Sequence, residues 1–325
     1  MSNLSNALQQ LKAIHSQLPV SAYFDEALLS REIETLFKQG PRYIGHELMV
    51  PEAGNYFYFA LPGEKEGRVL VRNQQNEIEL LSNVCRHRQA IMLNGSGSAN
   101  NIVCPLHRWT YDLDGQLLGA PHFADKPCLN LGKTPLQNWQ GLLFESESRN
   151  VAADLVRLGT ARHFDFSGFM FDYVEVHECN YNWKSFVEVY LEDYHVAPFH
   201  PGLGSFVSCD NLEWEFGDWY SVQTVGVHKN LEKPGSPTYR KWHDEVLRFR
   251  NGSPARVRRD LDGVLPRSHD RVVSARAGRV VAHSARRAEN DQHRRVLLLR
   301  GNRAFRTRVH RGGTRRIYGN RARGR

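Results

Sequence analysis

The sequence predicts an α+β protein in which a small antiparallel β domain precedes a partial domain made of a helix and an antiparallel sheet. Three observations lead to this prediction. Short β-rich runs separated by turn residues fill residues 43–144, an alternating apolar pattern covers residues 164–176, and apolar residues at helical spacing occupy residues 182–194. A chain of 325 residues is long enough to bury two such cores.

Residues 1–42 are predicted to form a helical lead-in to the first domain. Leucines recur at near-helical spacing between Leu4 and Leu18. Asp25 is placed to cap a second helix, which the Gly-Pro pair at residues 40–41 then ends. The apolar faces of both helices are expected to pack on the core.

Residues 43–150 are predicted to form the antiparallel β domain. Strands are expected at residues 56–61, 68–71 and 78–81, because these runs are rich in β-forming residues and are separated by Pro-Gly and Asn/Gln turns. The Asp-Leu-Asp-Gly sequence at residues 112–115 is typical of a hairpin turn.

A Cys-x-His pair and a Cys-x-x-His pair lie within this β domain. Cys85 and His87 form the first pair, and Cys104 and His107 form the second. Each pair fits on a tight loop, and the residues between the pairs are numerous enough to bring the two loops face to face. Two thiolates on one iron and two imidazoles on the other are the ligands of a mixed-ligand [2Fe–2S] cluster.

Structural zinc is the alternative for the same four side chains, since two cysteines and two histidines are also a zinc ligand set. Zinc fingers usually place two cysteines in one loop and two histidines in the other. The alternation of Cys with His in both loops, followed by the aromatic residues Trp109 and Tyr111, favours the cluster. These two aromatic side chains are expected to cover the cluster or the core beneath it.

Residues 151–253 are predicted to form a partial second domain. Its helix carries apolar residues at helical spacing from Trp183 to Leu191, and Pro198 is expected to end it. A histidine pair, His195 and His200, flanks that proline.

The spacing of His195 and His200 exceeds one turn of an unbroken helix, but the two rings converge if the chain breaks between them. Two imidazoles and one carboxylate on one face of an iron leave positions open for oxygen and substrate. A histidine pair alone is weak support for a metal site.

The two stretches together resemble the terminal oxygenase (α) subunits of the Rieske non-haem iron ring-hydroxylating oxygenases. Residues 84–111 are similar to the family's Rieske centre, and residues 182–200, which read NWKSFVEVYLEDYHVAPFH, are similar to its mononuclear iron motif. Gln89 and Arg108 stand where many members carry glycine. The resemblance covers roughly residues 20–253.

The resemblance implies a [2Fe–2S] cluster at the Cys/His loops and a mononuclear Fe(II) at His195 and His200. In the family, an acidic residue three places before the first iron histidine bridges a cluster histidine of one subunit to an iron histidine of its neighbour. Glu192 holds that position here, with Asp193 beside it. A carboxylate can accept an N–H bond from each imidazole and so shorten the electron path; the alternative for both residues is a solvated helix face.

The resemblance also implies the partners. Electrons come from NAD(P)H through a flavin reductase, alone or with a ferredoxin, and the substrates are O₂ and a small organic molecule, aromatic or related. Because the electron path joins neighbouring subunits, a homotrimer is expected, with or without a β subunit. The family's third iron ligand is an aspartate far downstream, and no residue of this sequence is assigned to it.

Residues 254–325 differ in composition from the rest of the chain. They hold 21 arginines, no lysine and five acidic residues, whereas residues 1–253 carry a net charge of −8. Arginine without lysine is typical of GC-rich DNA read out of frame, so a frameshift near codon 254 is the favoured hypothesis. A basic nucleic-acid-binding tail and an unfamiliar terminal domain are the alternatives. This charge with few large apolar residues predicts a disordered tail.

The sequence therefore predicts the terminal oxygenase component of a Rieske oxygenase. An electron carrier or inactive truncated oxygenase that lacks a complete iron site is the alternative. Five cysteines, of which the cluster would use two, form no disulfide framework, and residues 1–18 show no signal-peptide pattern. A reduced cytoplasmic location is expected, with no membrane span and no nucleic-acid partner.

Overall fold

The structure is a computed structural model that describes residues 18–59, 67–164, 166, 169–179, 181–190, 195–200, 207–227, 237, 240–241, 268–273, 277–285 and 292–301. Mixed helices and antiparallel sheets confirm the predicted α+β class. The helices of the described chain are α1 (Glu26–Glu32), α2 (Val151–Asp154), α3 (Trp183–Tyr190) and α4 (Val196–Phe199).

The N-terminal segment contains the capped helix that the sequence predicted. The Asp25 carboxylate accepts hydrogen bonds from the backbone N–H groups of Ala27 and Leu28, at 2.8 and 3.0 Å, and α1 follows. A wider helical turn, Ile33–Lys38, extends α1. The earlier helix predicted between Leu4 and Leu18 falls almost wholly outside the described residues.

The first domain is built from antiparallel strands, and the three strands predicted for it lie within a residue or two of β2, β3 and β4. Its strands are β1 (Arg42–His46), β2 (Asn55–Phe59), β3 (Arg68–Arg72), β4 (Ile78–Ser82), β5 (Ser96–Ser98), β6 (Ile102–Val103), β7 (Thr110–Tyr111), β8 (Leu117–Gly119), β9 (Lys133–Thr134), β10 (Leu136–Trp139) and β11 (Leu142–Glu145).

These strands form three sheets, in the orders β1-β11-β10, β5-β2-β3-β4-β9 and β6-β7-β8. Val69 and Val71 alternate with Leu70 along β3, and all three side chains are fully buried. Because successive side chains point to opposite faces, Leu70 joins one apolar core and the two valines join another. The second core contains both cysteines of the predicted cluster loops.

The first strand of the second domain begins later than the sequence predicts. The strand expected from Phe164 is β12 (Phe169–Cys179), and Phe164 instead follows a 3₁₀ turn, Gly159–His163. Phe164 is buried against Trp139, with ring centroids 5.3 Å apart. Packing on the first domain therefore overrides the alternating pattern at this point.

The remaining described strands, together with β12, form a hairpin and a four-stranded sheet. They are β13 (Val207–Phe216), β14 (Ser221–Val227), β15 (Ser268–Val273), β16 (Ala277–Ala285) and β17 (Gln292–Gly301). β13 pairs with β14, and the four-stranded sheet has the order β12-β17-β16-β15.

Three strands, β15, β16 and β17, lie within residues 254–325, for which the composition predicts disorder. β17 pairs with β12 along its whole length, and Leu297 and Leu299 lie opposite Val174 and Phe171. The ladder satisfies the backbone N–H and C=O groups whatever the side-chain charge, and the apolar run at residues 296–299 favours a strand. Composition alone missed both effects.

No helix in the described part of the chain has the length and apolar character needed to cross a bilayer.

His46, the last residue of β1, is a buried histidine outside the two predicted metal sites. Its side chain is 1% exposed, its Nδ1 accepts a hydrogen bond from the Leu48 N–H at 3.1 Å, and its ring meets that of Phe166 edge-on. Among the described residues its Nε2 has no hydrogen-bond partner. Burial lowers the pKa of His46 to about 4.

This depressed pKa predicts a loss of stability in mild acid. Because the unfolded chain binds a proton near pH 6.5 and the folded chain only near pH 4, stability is full above pH 6.5 and falls as the pH drops to about 4. The loss should be about 3 kcal/mol. Urea unfolding of the wild type and His46→Gln across this range is the measurement. The glutamine variant should show a flatter pH dependence, with exposed His122→Gln as the control; parallel curves for wild type and His46→Gln would contradict the assignment.

Candidate metal centres

Two six-residue loops of the first domain share one backbone shape. Residues 85–90 are closed by a bridge between Val84 and Ile91, and residues 104–109 join β6 to β7. In each loop the cysteine N–H donates to the carbonyl of the sixth residue, at 2.9 and 2.8 Å. The N–H of the fifth residue donates back to the cysteine carbonyl, at 2.9 and 3.1 Å.

The fifth residue of each loop lies in the left-handed region. Gln89 has a φ of 55° and Arg108 a φ of 63°. This conformation costs an L-residue roughly 1–2 kcal/mol, and glycine adopts it freely. The two positions are those at which the resembled family commonly carries glycine, so the tight turn back onto the cysteine accounts for that preference.

Both cysteine side chains of the loops are buried. Cys85 and Cys104 are each 1% exposed and have free thiols. Burial raises the pKa of the Cys85 thiol, and the neighbouring Cys104 thiol raises it further. A pair of thiolates in this core therefore requires a bound cation to offset the loss of solvation.

The rings of the two loop histidines, His87 and His107, lie close together. Their ring centroids are 4.7 Å apart at an interplanar angle of 75°, and His107 is exposed. The Nδ1 atom of His87 is buried and has no hydrogen-bond partner among the described residues. Burial and then the charges of His107 and Arg88 lower the pKa of His87. A neutral imidazole with a free ring nitrogen is the form that binds a metal.

Aromatic residues enclose this group of side chains. Trp109 is 1% exposed and stacks on the His87 ring, with centroids 5.0 Å apart and planes 6° from parallel. Phe123 meets both rings edge-on. The buried Tyr111 hydroxyl accepts the Arg86 N–H at 3.2 Å and lies 3.8 Å from the Cys85 Sγ. Both aromatic residues singled out in the sequence thus lie against the loops.

The second predicted site lies at α4. The rings of His195 and His200 have centroids 5.4 Å apart and an interplanar angle of 81°. His195 is the residue before α4 and His200 the residue after it, and the N–H groups of Phe199 and His200 donate to the carbonyls of His195 and Val196. This short helix brings the two rings to one place.

The sequence predicted that Pro198 ends a helix, but this proline lies inside α4. A proline is tolerated there because the N–H groups of a first helical turn have no acceptor within the helix. As described, α3 spans Trp183–Tyr190, and residues 191–194, between it and His195, lie outside the described residues.

Two family models match the chain. The Rieske [2Fe-2S] domain matches residues 43–137, and the catalytic domain of the ring hydroxylating alpha subunit matches residues 166–265. A putrescine 2-hydroxylase of Ralstonia nicotianae is 70% identical over 252 residues, which are 78% of this chain and 68% of that protein. The chain belongs to the family of Rieske oxygenase α subunits.

Other relatives agree with this family. A putrescine 2-hydroxylase of Bordetella bronchiseptica is 57% identical over 73% of this chain and 58% of its own length. The solved structure of a quaternary ammonium Rieske monooxygenase has the same fold, with a TM-score of 0.68, 20% identity, and coverage of 92% of this chain and 79% of its own. The chain therefore spans little more than half to about two-thirds of the two hydroxylases.

Rieske oxygenase α subunits carry a [2Fe–2S] cluster and a mononuclear iron, and the family match confirms the prediction of a cluster in preference to zinc. Within the described residues, no three His, Cys, Asp or Glu side chains are grouped as one metal ion requires. A tetrahedral zinc needs four donors around one ion. A Rieske cluster takes only two protein ligands per iron, so two separate pairs of side chains fit it.

The acidic residues of the iron motif lie outside the described residues. Glu192 and Asp193 belong to residues 191–194, so their predicted bridging role stays a prediction. A third iron ligand also stays unassigned.

Sequence reasoning missed the partners of the Asn-Trp-Lys stretch that opens the iron motif. Asn182 and Lys184 are buried, and their side chains, with that of Trp183, bind the N-terminal segment near Tyr23 and Glu32. The available signal was a lysine next to the apolar residues at helical spacing, since a buried lysine needs a partner.

The left-handed residues of the cluster loops predict a graded effect of substitution. Gln89→Val and Arg108→Val should each lower cluster occupancy, because a β-branched residue is strongly disfavoured at these φ values. Gln89→Gly and Arg108→Gly, the matched controls, should keep the full cluster. Acid-labile sulfide per chain and the visible absorption of the oxidised protein are the measurements, and equal sulfide in the valine and glycine variants would refute the strain argument.

Proposed function

We propose that this chain is the terminal oxygenase of a Rieske system that hydroxylates a small aliphatic amine. Within it, the cluster is bound by Cys85, His87, Cys104 and His107, and the mononuclear iron is bound by His195 and His200. The domain bounds of residues 43–150 and 151–253 are part of the same proposal. The first site is supported by the two buried thiols and by the buried His87 Nδ1, which has no hydrogen-bond partner among the described residues.

One observation carries the substrate class. The chain is 70% identical to a putrescine 2-hydroxylase over 252 residues. Other relatives, about 30% identical, are named for choline and carnitine, which favours an alkyl amine over an aromatic ring. The proposed reaction joins the substrate, O₂, two electrons and two protons to give an alcohol and water.

The bound metals supply electron storage and oxygen activation, and the chain's own residues supply placement. The loop backbone fixes both thiols, Trp109 orients the His87 ring by stacking, and α4 sets the separation of His195 and His200. Holding ligands on rigid elements with supporting contacts is what makes such sites reproducible.

We further propose that Glu192, with Asp193 beside it, accepts N–H bonds from a cluster histidine and an iron histidine of neighbouring subunits. The exposed position of His107 supports a contact that lies outside one chain. A homotrimer, with or without a β subunit, follows from this arrangement. A cytoplasmic location is part of the proposal.

The positive charge around the cluster loops supports the docking of an acidic electron donor. Residues 83–111 contain three arginines and no Asp or Glu, although residues 1–253 are acidic overall. All three, Arg86, Arg88 and Arg108, are exposed, and Leu106 among them is 60% exposed. A basic rim around an apolar centre suits a transient partner such as a flavin reductase or a ferredoxin that receives electrons from NAD(P)H.

The rival function is a Rieske electron carrier or an inactive truncated oxygenase. The arginine-rich, lysine-free composition of residues 254–325 favours it, because a frameshift near codon 254 would remove the family's third iron ligand. Reading the coding DNA in the other two frames after that codon tests the frameshift directly.

Turnover with a reductase distinguishes the two functions. With NADH, a Rieske reductase and putrescine, we expect oxygen uptake matched by a hydroxylated diamine in the mass spectrum. His195→Ala should abolish product and retain cluster absorption, and exposed His122→Ala should leave both unchanged. Cluster reduction without any product from the wild type, with diamines, choline or carnitine, would support the carrier instead.

A further inference from the structure

The N-terminal segment holds the iron-motif helix α3 at both of its ends. At the start of α3, the Asn182 side-chain N–H donates to the Tyr23 carbonyl at 2.9 Å. In its last turn, the Glu188 carboxylate accepts a hydrogen bond from the Tyr23 hydroxyl. A helix held at two points along its length has a fixed axis and a fixed rotation about that axis.

Glu32, the last residue of α1, binds two side chains at the start of α3. Its carboxylate accepts hydrogen bonds from the Lys184 Nζ at 2.9 and 2.7 Å, one to each oxygen, and from the Trp183 Nε1 at 3.1 Å. The side chains of Lys184 and Glu32 are 6% and 12% exposed. Phe37 also meets the Trp183 ring edge-on, with centroids 5.3 Å apart.

This ion pair depends on both partners. A buried charge that loses its partner is strongly unfavourable, whereas an exposed pair contributes little. The nearby Lys38–Glu34 pair is of the second kind, with side chains 63% and 56% exposed. The same N-terminal segment thus offers one pair expected to matter and one expected to be dispensable.

We propose that Glu32 is a positioning residue for the mononuclear iron. α3 ends at Tyr190, a few residues before His195, so a shift of α3 displaces the chain that carries the first histidine. The N-terminal segment Val20–Lys38 therefore acts as a brace for the iron site, although more than 150 residues separate Glu32 from Lys184. This inference rests on the proposed function, because it assumes iron at His195 and His200.

The test compares Glu32→Ala and the milder Glu32→Gln with the matched controls Glu34→Gln and Lys38→Met in the full-length chain. Two quantities are measured: hydrogen exchange of residues 183–190, and the rate at which a chelator removes the mononuclear iron. The absorption and labile sulfide of the cluster report whether the first domain stays folded.

We expect Glu32→Ala to raise the exchange rate across residues 183–190 about tenfold and to speed iron release by a similar factor, with sulfide unchanged. Glu32→Gln should show a smaller effect, and Lys184→Met added to Glu32→Gln should restore part of the protection, because it removes the unpaired lysine. Both controls should match the wild type.

Unchanged iron release in both Glu32 variants would overturn the proposal, even if exchange rises, since a purely structural contact would loosen α3 without affecting the metal. A wild-type chain that never binds mononuclear iron would instead refute the proposed function. The two failures are therefore distinguishable. If Glu32→Ala also loses the cluster, the rate of iron release from Glu32→Gln decides whether the proposal holds.

Discussion

Two thiols and an imidazole nitrogen are buried in the second apolar core of the β domain, and this burial constrains the structure around them. Cys85 and Cys104 are each 1% exposed, and His87 Nδ1 has no partner among the described residues. Burying such groups is costly unless they find partners, and a metal group bound by them would offset that cost. The matched loop backbones, the stacked Trp109 and the left-handed residues all serve to place these donors.

For the cluster site, the sequence predicted the ligand types better than the backbone geometry that places them. Ligand types and spacing predict four side chains for the cluster, because Cys and His are scarce and their alternation is specific, and that assignment stays a prediction. The equal hydrogen-bond patterns of the two loops were not predicted, since the spacing of Cys and His specifies the ligand types and not the backbone hydrogen bonds. The strain at Gln89 and Arg108 became visible only as positive φ values.

Long-range contacts account for the remaining differences. Phe164 and Phe166 leave the predicted strand because the first domain offers them a better apolar site beside Trp139 and His46. The buried Glu32–Lys184 pair was missed because no local pattern links residues so far apart. In residues 254–325 the charge predicted disorder, whereas backbone pairing with β12 gives strands. Local periodicity in the sequence predicts none of these long-range contacts.

We propose that this chain builds two iron centres, one in the paired loops and one at α4. The decisive measurement is iron and acid-labile sulfide per chain, with an EPR spectrum of the reduced protein purified anaerobically. If both centres assemble, we expect about three irons to two sulfides and a Rieske-type EPR signal. A zinc-containing protein without sulfide would contradict the cluster, and about two irons to two sulfides would contradict the second centre.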